Sequence, residues 1–275
     1  MVDALTAWSA AFPAIVVAAL VLLVPGLVAT APLQLGLLPR VAVSGAVGVA
    51  AIGTAGVLFA LLRVPFAVWQ PLLLGVAAAG VLWAMRRRRA PAPPASGRVR
   101  GWWMLPAWLA ASVAIALVAF AEVASPERIS QTYDNVFHLS AIAHILDTGD
   151  ASSLTLRTLI ETGHAWGFYP AGWHSLVALT AQLTGVSVPL AVNAGWIAVC
   201  AVVWLPGVAW LAQVLLPNRN PRVVALVALP LGTAFGAYPY AVLVWGTLYP
   251  TFLATALLPV ALALPLATWL PRRRP

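Results

Sequence analysis

The chain has 275 residues, 62% of them hydrophobic and 8% charged, and carries a net charge of +8 at neutral pH. A soluble domain carries about 25% charged residues, so a water-exposed globule is excluded. The positive charge comes from fifteen arginines and no lysine, grouped mostly at the ends of apolar runs. That distribution marks membrane topology and argues against a nucleic-acid partner.

Apolar runs long enough to cross a bilayer, about 20 residues each, are expected as spans at 14–37, 41–62, 65–85, 103–121, 188–215, 223–244 and 250–270. No basic residue precedes Arg40, so the first run lacks the positive start of a signal peptide and is expected to be retained. Residues 86–101, RRRRAPAPPASGRVRG, read as a cytoplasmic loop and stop-transfer signal that can also meet anionic headgroups. Trp102, Trp103, Tyr238, Tyr240, Trp245 and Tyr249 fall near predicted interfaces and read as an aromatic belt. Cys200 is the sole cysteine, which excludes an intrachain disulfide, and its apolar run disfavours a thiolate. Lysine is absent while Ala, Arg, Gly and Pro abound, a composition that points to a bacterial source.

One further apolar stretch, 171–184, decides the topology. As a helix its fourteen residues reach about 21 Å, short of the roughly 30 Å hydrocarbon core. Leu176, Leu179 and Leu183 share one face, beside a stripe of Ser175, Ala178 and Gln182, so an amphipathic helix lying at the interface is expected. With seven spans and the N-terminus outside, twelve of the fifteen arginines are cytoplasmic, as the positive-inside rule requires. The expected fold is therefore an all-α polytopic membrane protein of the plasma membrane, with two interfacial helices and a cytoplasmic C-terminus. It divides into a three-helix segment at 1–85, the loop at 86–101, a segment at 102–270 with an extracytoplasmic loop at 122–187, and a basic tail at 271–275.

That loop holds nearly all the ionisable chemistry. Six of the seven acids and all four histidines lie between residues 122 and 174. Concentrated proton-transfer groups in a membrane protein point to a functional segment. A short helix is predicted from Thr132 to Asp147, stopped by Thr148-Gly149, with Val136, Leu139, Ile142, Ala143 and Leu146 as its apolar face. Asp134 and His138 are four residues apart, so they share another face and can touch. Asp147 and Asp150 read as turn residues, and Tyr169-Pro170 as the turn into the second helix. Asn193 and Gln213 read as single polar residues bonding between helices.

The combination DNVFH…ILDTGD…FYPAGWH resembles the first large loop of the C-type (GT-C) glycosyltransferases, and also a family of large actinobacterial membrane proteins. YDNVFHLSAIAHILDTGD resembles the first juxtamembrane helix of those enzymes, and FYPAGWHSLVALTAQLTG the second. The resemblance covers about 103–270. It implies an inverting transfer from a polyprenyl-phosphate sugar at the outer face. Asp134 stands at the position of the general base, or of a divalent-cation ligand in some members. Arg128 or Arg157 would then neutralise the leaving phosphate. Many members carry a second acid where this chain has Asn135. They also have more spans after the loop than the three here, which points to a fragment or to one part of a complex with a membrane-protein partner.

His138 is assigned to orient Asp134 or bind acceptor. Glu161 and His164, in the irregular stretch, and Tyr169 and His174, at the second helix, complete the candidate substrate contacts. Sequence spacing assigns no metal ligand. A cation held by Asp134, His138, His164 and His174 stays an open alternative. A non-catalytic envelope subunit is the main competing reading. A transporter is disfavoured because no ionisable residue lies in the middle of a predicted span.

Overall fold

The computed structural model describes residues 2–88, 101–161 and 163–269, apart from the side chains of 2–4. The described residues are helical throughout, with no strand. Six segments are long and apolar enough to cross a membrane: Phe12–Thr30, Leu37–Leu61, Gly101–Glu122, Val188–Leu215, Pro221–Val244 and Tyr249–Trp269. The chain is thus a polytopic membrane protein. Parts of the predicted loop 86–101, and the tail 271–275, lie outside the described residues.

The third predicted span is a 19-residue helix, Trp69–Arg87, that is not among the six, because Trp69, Gln70 and Pro71 at its start and Arg86 and Arg87 at its end dilute its apolarity. It nevertheless runs alongside its neighbours from end to end. Naming the helices in chain order, α1 is Val2–Ser9, α2 Phe12–Thr30, α3 Leu37–Leu61 and α4 Trp69–Arg87. At one end Gln70 donates to the Pro65 carbonyl before α4, and at the other Arg86 donates to the Pro32 carbonyl just after α2.

α2 and α3 pack backbone to backbone. A β-carbon on Gly26 would overlap the Ser44 carbonyl, and one on Gly48 would overlap the Leu22 carbonyl. In lipid, hydrophobicity does not drive helices together, so small residues that permit such close van der Waals contact do. The same interface carries Thr30, which donates to the Gly26 carbonyl at 2.8 Å and meets Ser44 Oγ at 3.0 Å.

α5 (Leu105–Glu122) follows a short 3₁₀ turn, Gly101–Met104. After the polar segment comes one continuous rod, α8 (Val188–Val199), a π turn (Cys200–Trp204) and α9 (Leu205–Leu215), with the bounds predicted for the fifth span. Pro206 has no N–H to complete the α ladder, and the wider turn falls just before it. The Trp108 indole on α5 donates to the Ala201 carbonyl inside that turn at 2.6 Å.

The sixth span is broken, which the sequence reading did not anticipate. α10 (Pro221–Leu231) stops at Gly232, and helix resumes only at Gly236–Ala241, interrupted by extended Tyr238, and in the short α11 (Val242–Val244). Freed carbonyls cannot stay unpaired in hydrocarbon. Trp204 donates to Gly232 O at 2.8 Å and Tyr240 to Thr233 O at 3.1 Å. Side chains thus cap the Gly232 and Thr233 carbonyls at the break. α12 (Tyr249–Trp269) closes the bundle against α9.

Two of the expected belt residues are interior. Tyr238 and Tyr249 are each 5% exposed, with Tyr238 stacked on Phe252 and Tyr249 on Trp173. Trp102 and Trp245 do face outward.

The bundle has two chemically different ends. The Trp8 indole of α1 donates to Val123 O after α5, and Phe66 N before α4 donates to Gly149 O in the polar segment. Those contacts gather the acidic, histidine-bearing segment with the N-terminus and the α3–α4 turn. At the opposite end Arg86 meets Pro32, and the Arg222 guanidinium stands 5.9 Å from the Trp103 ring.

Candidate functional site

The polar segment folds into α6 (Tyr133–Thr148), a loop with one 3₁₀ turn at Leu156–Leu159, and α7 (Gly172–Thr184). α6 ends as predicted, on Gly149 in the left-handed region at φ 73°, where a β-carbon would also crowd Pro65. Asp150 then accepts from Ser152 N and Thr155 Oγ1, a turn residue as expected.

The buried face of α6 is not the predicted one. Asn135, His138, Ala141, Ile142 and Ile145 point inward, while Val136 and Ala143 are exposed. Hydrophobic spacing alone chose a face rotated by about one residue. The chain instead buries an amide and an imidazole and turns a valine out, which requires partners for both polar groups. Asn135 Nδ2 donates to Ser130 O at 2.8 Å. His138 Nδ1 lies 3.0 Å from Nε2 of His174 on α7.

α7 is not a surface helix. Its nine residues from Trp173 to Ala181 are all buried, enclosed by α2, α3, α6 and α8. The amphipathic reading failed because polar Ser175 and Thr180 satisfy themselves, donating to the carbonyls four residues back at 2.9 Å each. A polar stripe so neutralised can be packed inside.

An aromatic collar surrounds the histidine pair. Phe137, Tyr169 and Tyr249 lie 5.6, 6.5 and 5.1 Å from the His138 ring, and Tyr249 stacks flat on Trp173 at 4.8 Å. Burial pushes His138 down to about 4 against the pull of the Asp134 charge and the Thr247 carbonyl. Burial, then the neighbouring His138, push His174 down to about 3, with the Pro170 carbonyl opposing. Both rings are therefore neutral at pH 7. One of the two facing nitrogens donates to the other, while the Thr247 carbonyl favours a proton on His138 and the Pro170 carbonyl one on His174.

The sequence-predicted residues separate into three places. Asp134 is exposed on the first turn of α6, its Oδ2 3.7 Å from where a β-carbon would sit on Gly246. His138 and His174 are buried beneath it with half-buried Tyr169 beside them, and burial together with the charge of Asp134 raises the Tyr169 phenol. Arg157 and Glu161 pair with each other at 2.5 Å on the exposed loop, and that bond holds the Glu161 carboxyl below its usual range. His164 is exposed on the same loop. Among the described residues no three His, Cys, Asp or Glu side chains converge to hold a metal ion, so the four-residue set weighed from sequence is split between cluster and loop.

Arg128 stands elsewhere, in a cavity of about 340 Å³ between α5, α8 and the α10–α12 connection. Glu122, Ser130, Trp196, Tyr240 and Tyr249 share its lining, while Val118, Leu243 and Val244 supply an apolar wall. Asn193 fixes the strap that carries Arg128, donating to the Pro126 and Arg128 carbonyls at 2.8 and 2.9 Å. Its partners are loop carbonyls, not another helix as expected. Gln213 does bond between helices as expected, donating from α9 to the carbonyl of Pro221, the first residue of α10, at 2.8 Å. Tyr249 joins the two places, touching His138 on one side and the cavity on the other.

Sequence reasoning missed Thr247, gave Asn135 and Glu122 no role within the region, and placed Tyr249 in a belt. One signal was available: Tyr-Pro recurs at 169–170, 238–239 and 249–250, and two of those tyrosines flank His138.

The chain belongs to the family of unknown function DUF6541, whose profile matches residues 19–275. No curated protein and no solved structure matches it.

Proposed function

We propose that this integral membrane protein transfers a sugar from a polyprenyl phosphate at the end of the bundle that carries the polar segment, in the manner of the GT-C enzymes its loop resembles. The observation that carries the reading is the cavity beside the histidine cluster. It joins an apolar wall for a hydrocarbon chain to Arg128, a guanidinium on an anchored strap, suited to a phosphate. Arg157 is less suited to that role because Glu161 already holds it.

In this reaction the acceptor hydroxyl oxygen forms a bond to the anomeric carbon while the bond from that carbon to the phosphate oxygen breaks. The electron pair leaves with the polyprenyl phosphate, whose charge Arg128 offsets. The hydroxyl proton goes to Asp134, which is exposed and free to approach an acceptor. His138 and His174 lie too deep for substrate and act as positioning residues: they join α6, which carries Asp134, to α7 and to the Thr247 turn. Seven spans, with α4 as the third, and an outside N-terminus complete the arrangement. The segregation of arginines to the opposite end supports that orientation.

Mass spectrometry of lipids co-purified with wild type and Asp134→Asn tests the reading. A polyprenyl-phosphate sugar accumulated by the variant supports it. Bulk phospholipid alone in both samples would overturn it in favour of a non-catalytic envelope subunit.

A further inference from the structure

Proton transfer at Asp134 and phosphate binding at Arg128 leave one charged wall of the cavity unused. Glu122, the last residue of α5, lines the same space as Arg128. Among the described residues the one ion pair is Arg157–Glu161, so Glu122 and Arg128 share a cavity without neutralising each other.

The backbones that carry them are anchored separately. The residue after Glu122 is tied by the Trp8 indole, which donates to Val123 O at 2.7 Å. The backbone of Arg128 is tied by Asn193 on α8 at 2.9 Å. Each stretch of backbone is thus tied to a different helix, and both exposed side chains line the same cavity. A site of that kind binds a group that brings both signs with it.

We infer that the lipid phosphate taken by this cavity is zwitterionic: its phosphate sits on Arg128, and a primary ammonium of the same headgroup, in the proposed donor an amino group on the sugar, sits on Glu122. The hydrocarbon follows Val118, Leu243 and Val244. A purely anionic lipid would bring its phosphate toward an uncompensated carboxylate. A soluble zwitterion would leave the apolar wall wet. The assignment rests on the reading that the cavity holds a lipid phosphate, and it adds the second charge to that ligand.

The test uses nanodiscs of equimolar phosphatidylethanolamine and phosphatidylglycerol with identical acyl chains, which share the phosphate while the first carries an ammonium and the second a neutral glycerol. Native mass spectrometry reads the lipid retained by the full chain. Wild type is expected to favour the ethanolamine lipid on the order of tenfold. Glu122→Gln should bring the ratio near parity while lipid is still retained, Glu122→Asp should restore it, and Arg128→Gln should lose both lipids. Equal retention in wild type, with Arg128→Gln still abolishing binding, overturns the zwitterion and leaves the lipid-phosphate reading standing. Retention indifferent to Arg128→Gln overturns both. Displacement by an equal concentration of soluble glycerophosphoethanolamine overturns the lipid part of the inference. Melting temperatures of the variants within a few degrees of wild type separate these outcomes from misfolding.

Discussion

His138 Nδ1 and His174 Nε2 meet at 3.0 Å across 36 residues of sequence, and this one hydrogen bond joins α6 to α7 in the interior. Neither ring reaches solvent, so what each loses on mutation is set by the partner left behind. Replacing either histidine by alanine should lower stability by about 1–3 kcal/mol, the cost of a stranded buried polar atom. The double variant His138→Ala/His174→Ala should cost less than the sum of the singles. Thermal melting of the four proteins in one detergent measures the coupling.

The same pair predicts a pH response with a definite sign. Folding holds both rings below the ordinary histidine value of 6.5, so between that value and the folded values the unfolded chain binds more protons. Stability is therefore complete above about pH 6.5 and falls as the pH drops toward 4. A melting series from pH 8 to 4 should show a plateau and then a decline. In His138→Phe/His174→Leu the decline should be shallower. A decline on the alkaline side instead would remove the neutral assignment.

Asp134 is expected to separate activity from stability. It is exposed and tied to its surroundings mainly through its charge, so Asp134→Asn should leave the melting temperature within a few degrees. Transfer activity should fall about 10²–10⁴-fold, the usual worth of a positioned proton acceptor. Equal turnover by wild type and variant would remove the residue from the chemistry.

The α2–α3 contact is expected to tolerate no side chain. Gly48→Ala or Gly26→Ala pushes a methyl group into a carbonyl of the facing helix, which should cost about 1–3 kcal/mol by overpacking. Gly53, with nothing near its β-carbon position, is the internal control. Fluorescence-detected gel filtration before and after heating ranks the three variants.

The break in the sixth span gives a fourth stability prediction. Trp204→Phe keeps the ring against Tyr238 but leaves the Gly232 carbonyl without its donor. A loss of about 1 kcal/mol is expected, read as a lower melting temperature. Trp204→Phe melting like wild type would show that the break finds another donor.

Periodicity and length made the helices legible because a bilayer imposes both. The rod 188–215 and the stop at Gly149 follow directly from apolar run length and from glycine's access to positive φ. What periodicity could not show is which groups satisfy each other. A helix wheel scores His138 and Asn135 as outward, yet both are buried because His174 and the Ser130 carbonyl, distant in sequence or set by a loop, await them. The same blindness applied to α7, whose hydroxyls bond to their own backbone, and to Tyr249, which an aromatic count assigns to an interface. Concentration of the acids and histidines was the most useful sequence signal. It located the region, and only tertiary pairing sorted it into an exposed acid, a buried pair and a cavity.

The enclosure of α7 sets an order on biogenesis. Its walls come from α2 and α3, which leave the translocon before it, and from α8, which leaves after it. Until α8 is in place, Trp173 and His174 have one open side, and a chain paused there would expose them to lipid or to chaperones. The histidine bond joins two helices made before α8, but the candidate site is completed only when Thr247 and Tyr249, which follow α8, have been delivered.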